Sequence, residues 1–398
     1  MSPQAAHVDG ADSKTDEHGF VSQHVETEED GERQPAAPAC ESRATQTDMS
    51  LLCPVADVGV GTRPSSVLDF NSDDDGHQHD TAEQESDYHP DSSEEESEEE
   101  FDFMSLERTR RMCMSHSQRY IGVPADALHV VECLARDVVG PMSTEGSKLN
   151  PFDICLLVLM KIRQDRQFSY LADDFGISRS YAGRLFAKHV RNIADAVSDF
   201  IIWPSQEIIR KRLPLAFKAR FSNVTCIIDC LEIEIEKPSA PVNQSLTWSA
   251  YKSCNTLKYL ISITPNGLIN FVSQGFGGRA SDMAVLKRCG FLSQLKPGMV
   301  VMADRGFKAV EPVLVNVGCS LVRPESVSAN SVLEREQVLW SKQVASLRIH
   351  VERAIRRVRE FAILRPHAVI DSKIVDATDQ YMLIACGLVN LQAPLTKV

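Results

Sequence analysis

The sequence predicts a mixed α/β domain whose sheet is flanked by helices, with an all-α domain and an acidic tail before it. Three observations support this: charge changes sign along the chain, the middle has helical periodicity, and strand-like runs alternate with helices afterwards. A chain of 398 residues is long enough for two or three domains. We place the tail at 1–107, the helical domain at 115–203 and the α/β domain at 215–395.

The charge is divided unevenly along the chain. Residues 1–107 carry 4 Lys/Arg and 29 Asp/Glu, whereas the remainder carries 38 and 26. The net charge of −13 therefore combines an acidic tail of −25 with a basic body of +12. Because the tail has few large apolar side chains, it cannot offset its chain entropy by burial, and we predict that it is disordered. The basic body is compatible with a nucleic-acid partner.

The sequence indicates neither a membrane protein nor a disulfide-bonded protein. No apolar run reaches the roughly 18 to 20 residues that a bilayer requires, and the N-terminus has no basic segment followed by an apolar one. The 11 cysteines are odd in number and lack paired spacing. We therefore expect a soluble, intracellular protein with reduced thiols, in which Cys226 and Cys230 serve core packing.

The middle of the chain predicts three helices. Residues 152–163 are apolar at helical spacing, and a shorter helix at 170–175 meets Gly176. A third helix at 179–196 follows Ser178, a good N-cap residue. A helix, a glycine-containing turn and a capped helix are the layout of a helix-turn-helix.

The third helix is rich in basic residues. In a helix-turn-helix, Arg179 and Arg184 would reach into a DNA groove, while Lys188 and Arg191 would contact phosphates. A three-helix bundle with solvated basic side chains explains the same spacing equally well. The pattern alone leaves both interpretations open.

After residue 215 the periodicity becomes strand-like. A short apolar run at 224–229 ends in Asp229, and a second strand is predicted at 259–264. The turn at 265–267 then leads into a third strand at 268–273.

The remaining elements alternate between helix and strand. Ser281 caps a helix through Cys289, and 299–304 is an apolar strand ending in Asp304. A long helix at 333–361 and a final apolar helix at 374–391 follow. Three early strands, a helix, a fourth strand and later helices are typical of an RNase H-like mixed sheet.

Three carboxylates stand at chemically suggestive positions, namely Asp229, Asp304 and Glu352. Two-metal phosphoryl transfer needs hard oxygen ligands that converge from separate elements. Each residue has a simpler explanation: an Asp that closes a strand is often a turn or cap residue, and Glu352 could pair with Arg356 one turn later.

Five short segments occur in a characteristic order: TCIIDCLE at 225–232, WSAYK at 248–252, GGRASD at 277–282, MADRGF at 302–307 and IHVERAI at 349–355. Together they resemble the blocks of PIF/Harbinger-type transposases, which are DDE superfamily endonucleases. The preceding segment 149–191 resembles the helix-turn-helix domain of that family.

The resemblance implies a DNA transposase that cleaves phosphodiester bonds and joins the 3′-OH to target DNA. By position, Asp229, Asp304 and Glu352 match the family's ligands for Mg²⁺ or Mn²⁺. Asp282 matches a further acidic position, which is either an auxiliary ligand or a helix cap. The resemblance also implies a nuclear location, with the cytoplasm as an alternative, and a Myb-like partner, and it is compatible with a homo-oligomer.

Several basic residues follow Glu352 on its predicted helix. Arg353, Arg356 and Arg357 would neutralise DNA phosphates beside the acidic site, or they form a solvated face.

Two non-enzymatic alternatives remain. One is a domesticated, transposase-derived DNA-binding protein without cleavage activity. The other is an interaction hub, because residues 43–47 (RATQT) resemble peptides that add a strand to dynein light chain.

Overall fold

The computed structural model describes residues 92–142, 148–325 and 334–396, with side chains from Met104 onward. Most of the predicted tail, including residues 43–47, lies outside this part of the chain. Helix α1 spans Ser92–Ser115 and therefore crosses residue 107, the predicted end of the tail.

Contacts with the helical domain explain why α1 is ordered near its C-terminal end. Ser105 donates a hydrogen bond from Oγ to the carbonyl oxygen of Asp173 at 2.8 Å. The guanidinium of Arg110 pairs with the buried carboxylate of Asp153 at 2.6 Å. An acidic composition alone does not reveal such long-range partners.

The helix-turn-helix layout is confirmed. Ser178 accepts a hydrogen bond from the backbone N–H of Tyr181 at 3.3 Å and caps the third predicted helix. Gly176 ends the preceding helix in the left-handed region, at φ 62°, where a side chain would be strained. The α-helices of this region after α1 are α2 (Ser117–Tyr120), α3 (His129–Cys133), α4 (Pro151–Gln164), α5 (Phe168–Phe175) and α6 (Arg179–Ser198).

A mixed sheet of seven strands follows. The strands are β1 (Val224–Glu234), β2 (Trp248–Ser249), β3 (Cys254–Ile263), β4 (Ile269–Val272), β5 (Phe276–Gly277), β6 (Val300–Met302) and β7 (Ser320–Val322). Their order is β2-β3-β1-β6-β7, and β4 and β5 also pair with β3. β1 is antiparallel to β3 and parallel to β6, which is parallel to β7. The predicted mixed α/β class is confirmed, and the arrangement is consistent with an RNase H-like fold.

Three predicted strand limits are wrong, and the first is the start of β3, which begins at Cys254 rather than at residue 259. β1 does not stop at Asp229 but continues to Glu234, because its second half pairs with the first half of β3. β6 ends at Met302, and Asp304 follows it at the start of a 3₁₀ turn. Pairing with distant strands, rather than local hydrophobicity, sets these limits.

The helices after α6 are α7 (Gln206–Lys211), α8 (Leu215–Lys218), α9 (Pro241–Thr247), α10 (Asp282–Arg288), α11 (Glu311–Asn316), α12 (Arg335–Val358) and α13 (Thr378–Val389). The predicted helices at 281–289, 333–361 and 374–391 correspond to α10, α12 and α13. The shorter elements α7, α8, α9 and α11 were not predicted, because fewer than two turns give little periodicity.

The sheet has an apolar core on each face. Ile227 and Leu231 of β1 join the larger core, which includes α4, α6, α12 and α13. Cys226 and Ile228 point to the other face, toward α10. Alternation along β1 therefore puts Asp229 on the face that α12 covers. The helical region and the sheet share one core, since α6 packs against α13.

The cysteines that the structure describes are all free, and Cys226 is buried, as expected for reduced core thiols. None of the helices in the described ranges has the length and apolar character needed to cross a bilayer.

Candidate active site

The three predicted acids meet at a single guanidinium, that of Arg348. Its Nη1 lies 3.2 Å from Oδ2 of Asp229. Its Nη2 lies 2.5 Å from Oε1 of Glu352, and its Nε lies 3.6 Å from Oδ1 of Asp304. Since the guanidinium is a small rigid fork, these carboxylate oxygens cannot be more than roughly 9 Å apart. The structure thus brings all three acids together.

Three separate elements deliver the acids. Asp229 lies within β1 and Asp304 follows β6, and these strands are parallel neighbours in which Ile227 faces Met302. Each Asp stands two residues beyond that facing pair, so the two carboxylates lie side by side. Glu352 comes from α12, which packs across β1. Asp229 is further fixed by the N–H of Cys230, which donates to its Oδ1 at 2.9 Å.

The acids of the cluster outnumber the guanidinium that they contact. Burial has the largest effect and raises the pKa of Asp229, Arg348 and the Cys230 N–H lower it, and the neighbouring Asp304 and Glu352 raise it, with a net pKa of about 6. Three acids on one guanidinium leave a formal excess of two negative charges. A divalent cation would neutralise that excess.

The donor set fits a hard divalent metal, because Mg²⁺ and Mn²⁺ prefer carboxylate oxygens. As the side chains stand, no three His, Cys, Asp or Glu side chains within the described ranges are spaced to hold a metal ion. Arg348 explains this spacing, since its guanidinium stands between the acids. Its side chain is only 17% exposed, so it is held in the cluster rather than free in solvent.

A cleft of about 650 Å³ opens beside two of the acids, Asp229 and Glu352. It is lined by four arginines: Arg163, Arg356, Arg359 and Arg365. Arginines bind phosphate oxygens through paired N–H groups, so this cleft can hold a phosphodiester backbone next to the acids.

The three predicted phosphate-binding arginines of α12 lie in different surroundings. Arg356 lines the cleft, and Arg353 is exposed. Arg357 instead donates from Nη1 to the carbonyl oxygen of Ala393 at 2.7 Å, so it is engaged with the C-terminal segment. Our sequence reasoning missed Arg348, although its position four residues before Glu352 was a usable signal.

The predicted DNA-binding residues of α6 lie mostly in solvent. Arg179, Arg184 and Arg191 are exposed. The guanidinium carbon of Arg184 lies 5.7 Å from the ring centroid of Tyr181. Lys188 donates from Nζ to the carbonyl oxygen of Met142 at 2.6 Å, which fixes its side chain against the preceding segment.

Asp282 lies in a different cluster. It is the first residue of α10, whose cap is Ser281, which accepts from the N–H of Ala284 at 3.2 Å. The Asp282 carboxylate pairs with Lys258 at 3.3 Å rather than with Arg348. This position supports neither of the two roles predicted for its side chain, helix cap or auxiliary metal ligand.

Comparison with known families relates both regions to one class of protein. Residues 228–390 match the family model described as DDE superfamily endonuclease. Residues 147–199 match the model described as the helix-turn-helix of DDE superfamily endonuclease. The three acids all lie within the first matched segment. Over these regions the chain is similar to a DDE superfamily endonuclease with its helix-turn-helix domain.

Individual relatives agree with this. HARBI1 of Homo sapiens, named as a candidate nuclease, is 27% identical over 131 residues, which cover 32% of this chain and 37% of HARBI1. HARBI1 of Rattus norvegicus gives the same values. The match therefore spans little more than a third of these relatives. A candidate transposase for insertion sequence element IS702 of Microchaete diplosiphon is 24% identical over 266 residues, covering 66% of this chain and 89% of that protein. No solved structure matches the chain.

Proposed function

We propose that this chain is a DNA transposase of the PIF/Harbinger kind, which cleaves phosphodiester bonds and joins the freed 3′-OH to target DNA. The observation that carries the proposal is the convergence of Asp229, Asp304 and Glu352 on one cation, beside a cleft lined with arginines. In a structural ion pair, one acid balances the charge of one arginine. Three acids that share one arginine are matched better by a site of higher positive charge.

Asp229, Asp304 and Glu352 would hold Mg²⁺ or Mn²⁺ in this proposal. When bound, a metal pair activates the attacking oxygen and stabilises the leaving oxygen of a phosphodiester. The arginines of the cleft, including Arg356, would bind the phosphates on either side of the scissile bond. The exposed arginines of α6 would position the DNA. Action in the nucleus, a Myb-like partner and a homo-oligomer belong to the same proposal.

The direct test is nicking of supercoiled plasmid and of duplex DNA by the purified chain in Mg²⁺ or Mn²⁺. Asp304→Asn keeps the size and one oxygen but removes the charge, so we expect loss of cleavage with DNA binding nearly intact. Glu311→Gln is the matched control, because Glu311 is a half-exposed carboxylate that pairs with Arg323 instead. Undiminished metal-dependent cleavage by the Asp304→Asn protein would refute the proposal.

One observation favours the alternative of a domesticated DNA-binding protein without cleavage activity. Arg348 already contacts all three acids, and such an internal counterion can keep the cluster assembled without a metal. In that case the wild-type chain would bind DNA, yet neither metal would produce nicks or bind to the triad.

A further inference from the structure

A second groove lies beside the WSAYK and GGRASD segments, and it has no part in the site described above. It has a volume of about 830 Å³, within the roughly 300 to 1,000 Å³ typical of ligand sites. Its walls come from α9, from β2 and the first two residues of the turn after it, and from the turn at 278–281.

Two aromatic rings are displayed in this groove. Trp248 is 47% exposed and Tyr251 is 88% exposed, although their neighbours Thr247 and Ser249 are buried. The backbone beneath the rings is fixed, since Ser249 accepts from the N–H of Ser253 at 2.8 Å through its carbonyl oxygen. Because both exposed rings line one groove, they form an apolar patch, and such patches mark binding sites where single exposed residues do not.

The floor of the groove is rigid and closely packed. Asn255 donates from Nδ2 to Oγ1 of Thr247 at 2.8 Å and to the carbonyl oxygen of Gln244 at 2.9 Å. Gly277 is required there, because a Cβ would lie 2.3 Å from the carbonyl oxygen of Leu246. The groove is therefore preformed.

The charge of the groove is positive. Its two acidic neighbours, Glu232 and Asp282, both pair with Lys258 at 3.3 Å. Lys237 and Arg279 line the groove without an acidic partner among the described residues. Lys252, which also has no such partner there, places Nζ 5.6 Å from the ring centroid of Tyr251.

The groove lies close to the triad. Glu232 and Asp229 are three residues apart on β1, which corresponds to roughly 10 Å along the strand. Their side chains point to opposite faces of the sheet, so a ligand that reached both would have to bend around its edge. A flexible single strand can bend in this way, whereas a rigid duplex cannot follow so sharp a path.

We propose that this groove binds unpaired nucleotides of a DNA strand, whose bases stack on Trp248 and Tyr251 while Lys237, Lys252 and Arg279 contact phosphates. Exposed aromatic rings beside cations that have no acidic partner are the chemistry that recognises single strands without reading their sequence. The proposal deepens the proposed nuclease function and rests on it for the identity of the strand, which would be the DNA end beside the cut.

The test is fluorescence anisotropy of the full chain with two labelled duplexes, one blunt and one with a short single-stranded extension, in EDTA so that no cleavage intervenes. We expect the wild type to prefer the extended duplex. Trp248→Ala and Tyr251→Ala should each lower its affinity for the extended duplex by at least about fivefold, because each removes one stacking partner. Binding to the blunt duplex should change little.

Trp248→Phe should retain most of the preference, since it keeps an aromatic face. Lys218→Ala, at an exposed lysine on α8, is the control for general loss of positive charge. The intrinsic fluorescence of Trp248 gives a second readout, because stacking should quench it in the wild type and the quenching should disappear in Trp248→Phe.

Equal affinity of the wild type and both alanine variants for the extended duplex would overturn the inference. So would an equal loss on both duplexes, or displacement by an acidic peptide but not by a single-stranded oligonucleotide. Because the assay needs neither metal nor cleavage, its outcome is independent of the nicking test. If the groove does not bind single strands, metal-dependent cleavage can still be observed. If the chain does not cleave DNA, its preference for the extended duplex can still be measured.

Discussion

Arg348 and Glu352 lie one turn apart on α12, and Nη2 of the arginine lies 2.5 Å from Oε1 of the glutamate. The same guanidinium also contacts the acids on β1 and after β6. A pair that would be an ordinary helix surface contact therefore forms the centre of the acidic site. Arg348 balances part of the charge that any bound metal would have to neutralise.

We predict that Arg348→Ala destabilises the metal-free protein by roughly 1 to 2 kcal/mol, because three acids lose their common partner while two of them remain about half exposed. The variant should gain more stability from Mg²⁺ or Mn²⁺ than the wild type does, since the metal no longer competes with the guanidinium. Thermal unfolding with EDTA and with each metal measures both effects.

Arg353→Ala is the matched control for Arg348, because it removes an exposed arginine from the same helix without touching the acids. Its stability and metal response should remain close to those of the wild type. A metal response that is the same in all three proteins would show that Arg348 and the metal do not compete for the acids.

The helix-turn-helix prediction concerns base readout. We expect Arg179→Ala combined with Arg184→Ala to reduce discrimination between specific and random DNA by more than it changes the salt dependence of binding. Contacts to bases carry sequence information, whereas contacts to phosphates mostly carry affinity. Titrations of both DNAs at several salt concentrations measure this, with the exposed Arg191→Ala as the phosphate-type control. Equal losses on both DNAs would contradict base readout by α6.

The sequence was sufficient to predict the mixed α/β class, the helix-turn-helix and the convergence of the three acids. These depend on long periodic segments and on residues that end or follow them. It was not sufficient for Arg348, whose partners Asp229 and Asp304 are more than 40 residues away along the chain. It also placed the end of β1 too early, because the pairing of Glu234 with Thr256 extends the strand. The end of β1 and the two distant partners of Arg348 depend on contacts that local patterns do not encode, whereas the pairing of Arg348 with Glu352 is local.

The acidic N-terminal segment provides a third prediction. Residues 1–91 carry 4 Lys/Arg and 21 Asp/Glu, a net charge of −17. We expect their removal to leave a folded protein that binds DNA more tightly, because this charge no longer competes with phosphate for the basic body. The cut precedes α1, whose residues Ser105 and Arg110 contact the helical domain.

A matched control keeps the length of residues 1–91 but replaces their acids with Asn and Gln, and it should bind DNA as tightly as the truncated protein. Anisotropy titrations at low and moderate salt distinguish charge from bulk. Weaker DNA binding after truncation would mean that residues 1–91 support the interaction instead of opposing it.

The last prediction concerns acid stability and His189, which is buried within α6 and whose ring nitrogens have no hydrogen-bond partner among the described residues. Burial lowers the pKa of His189 to about 4, below its ordinary value of 6.5, and the nearby Lys188 acts in the same direction. Below pH 6.5 His189 becomes protonated in the unfolded chain, whereas in the folded protein it stays neutral until about pH 4. The contribution of His189 to the free energy of unfolding is therefore fully present above pH 6.5 and is lost as the pH falls toward 4. This histidine alone should lower the free energy of unfolding by on the order of 2 kcal/mol between pH 7 and pH 5.

His189→Leu keeps a side chain of similar size that cannot be protonated, so its free energy of unfolding should fall less over the same interval. Urea unfolding of both proteins at pH 7 and pH 5 measures the difference. Identical losses in the two proteins would show that His189 is protonated equally in the folded and unfolded states.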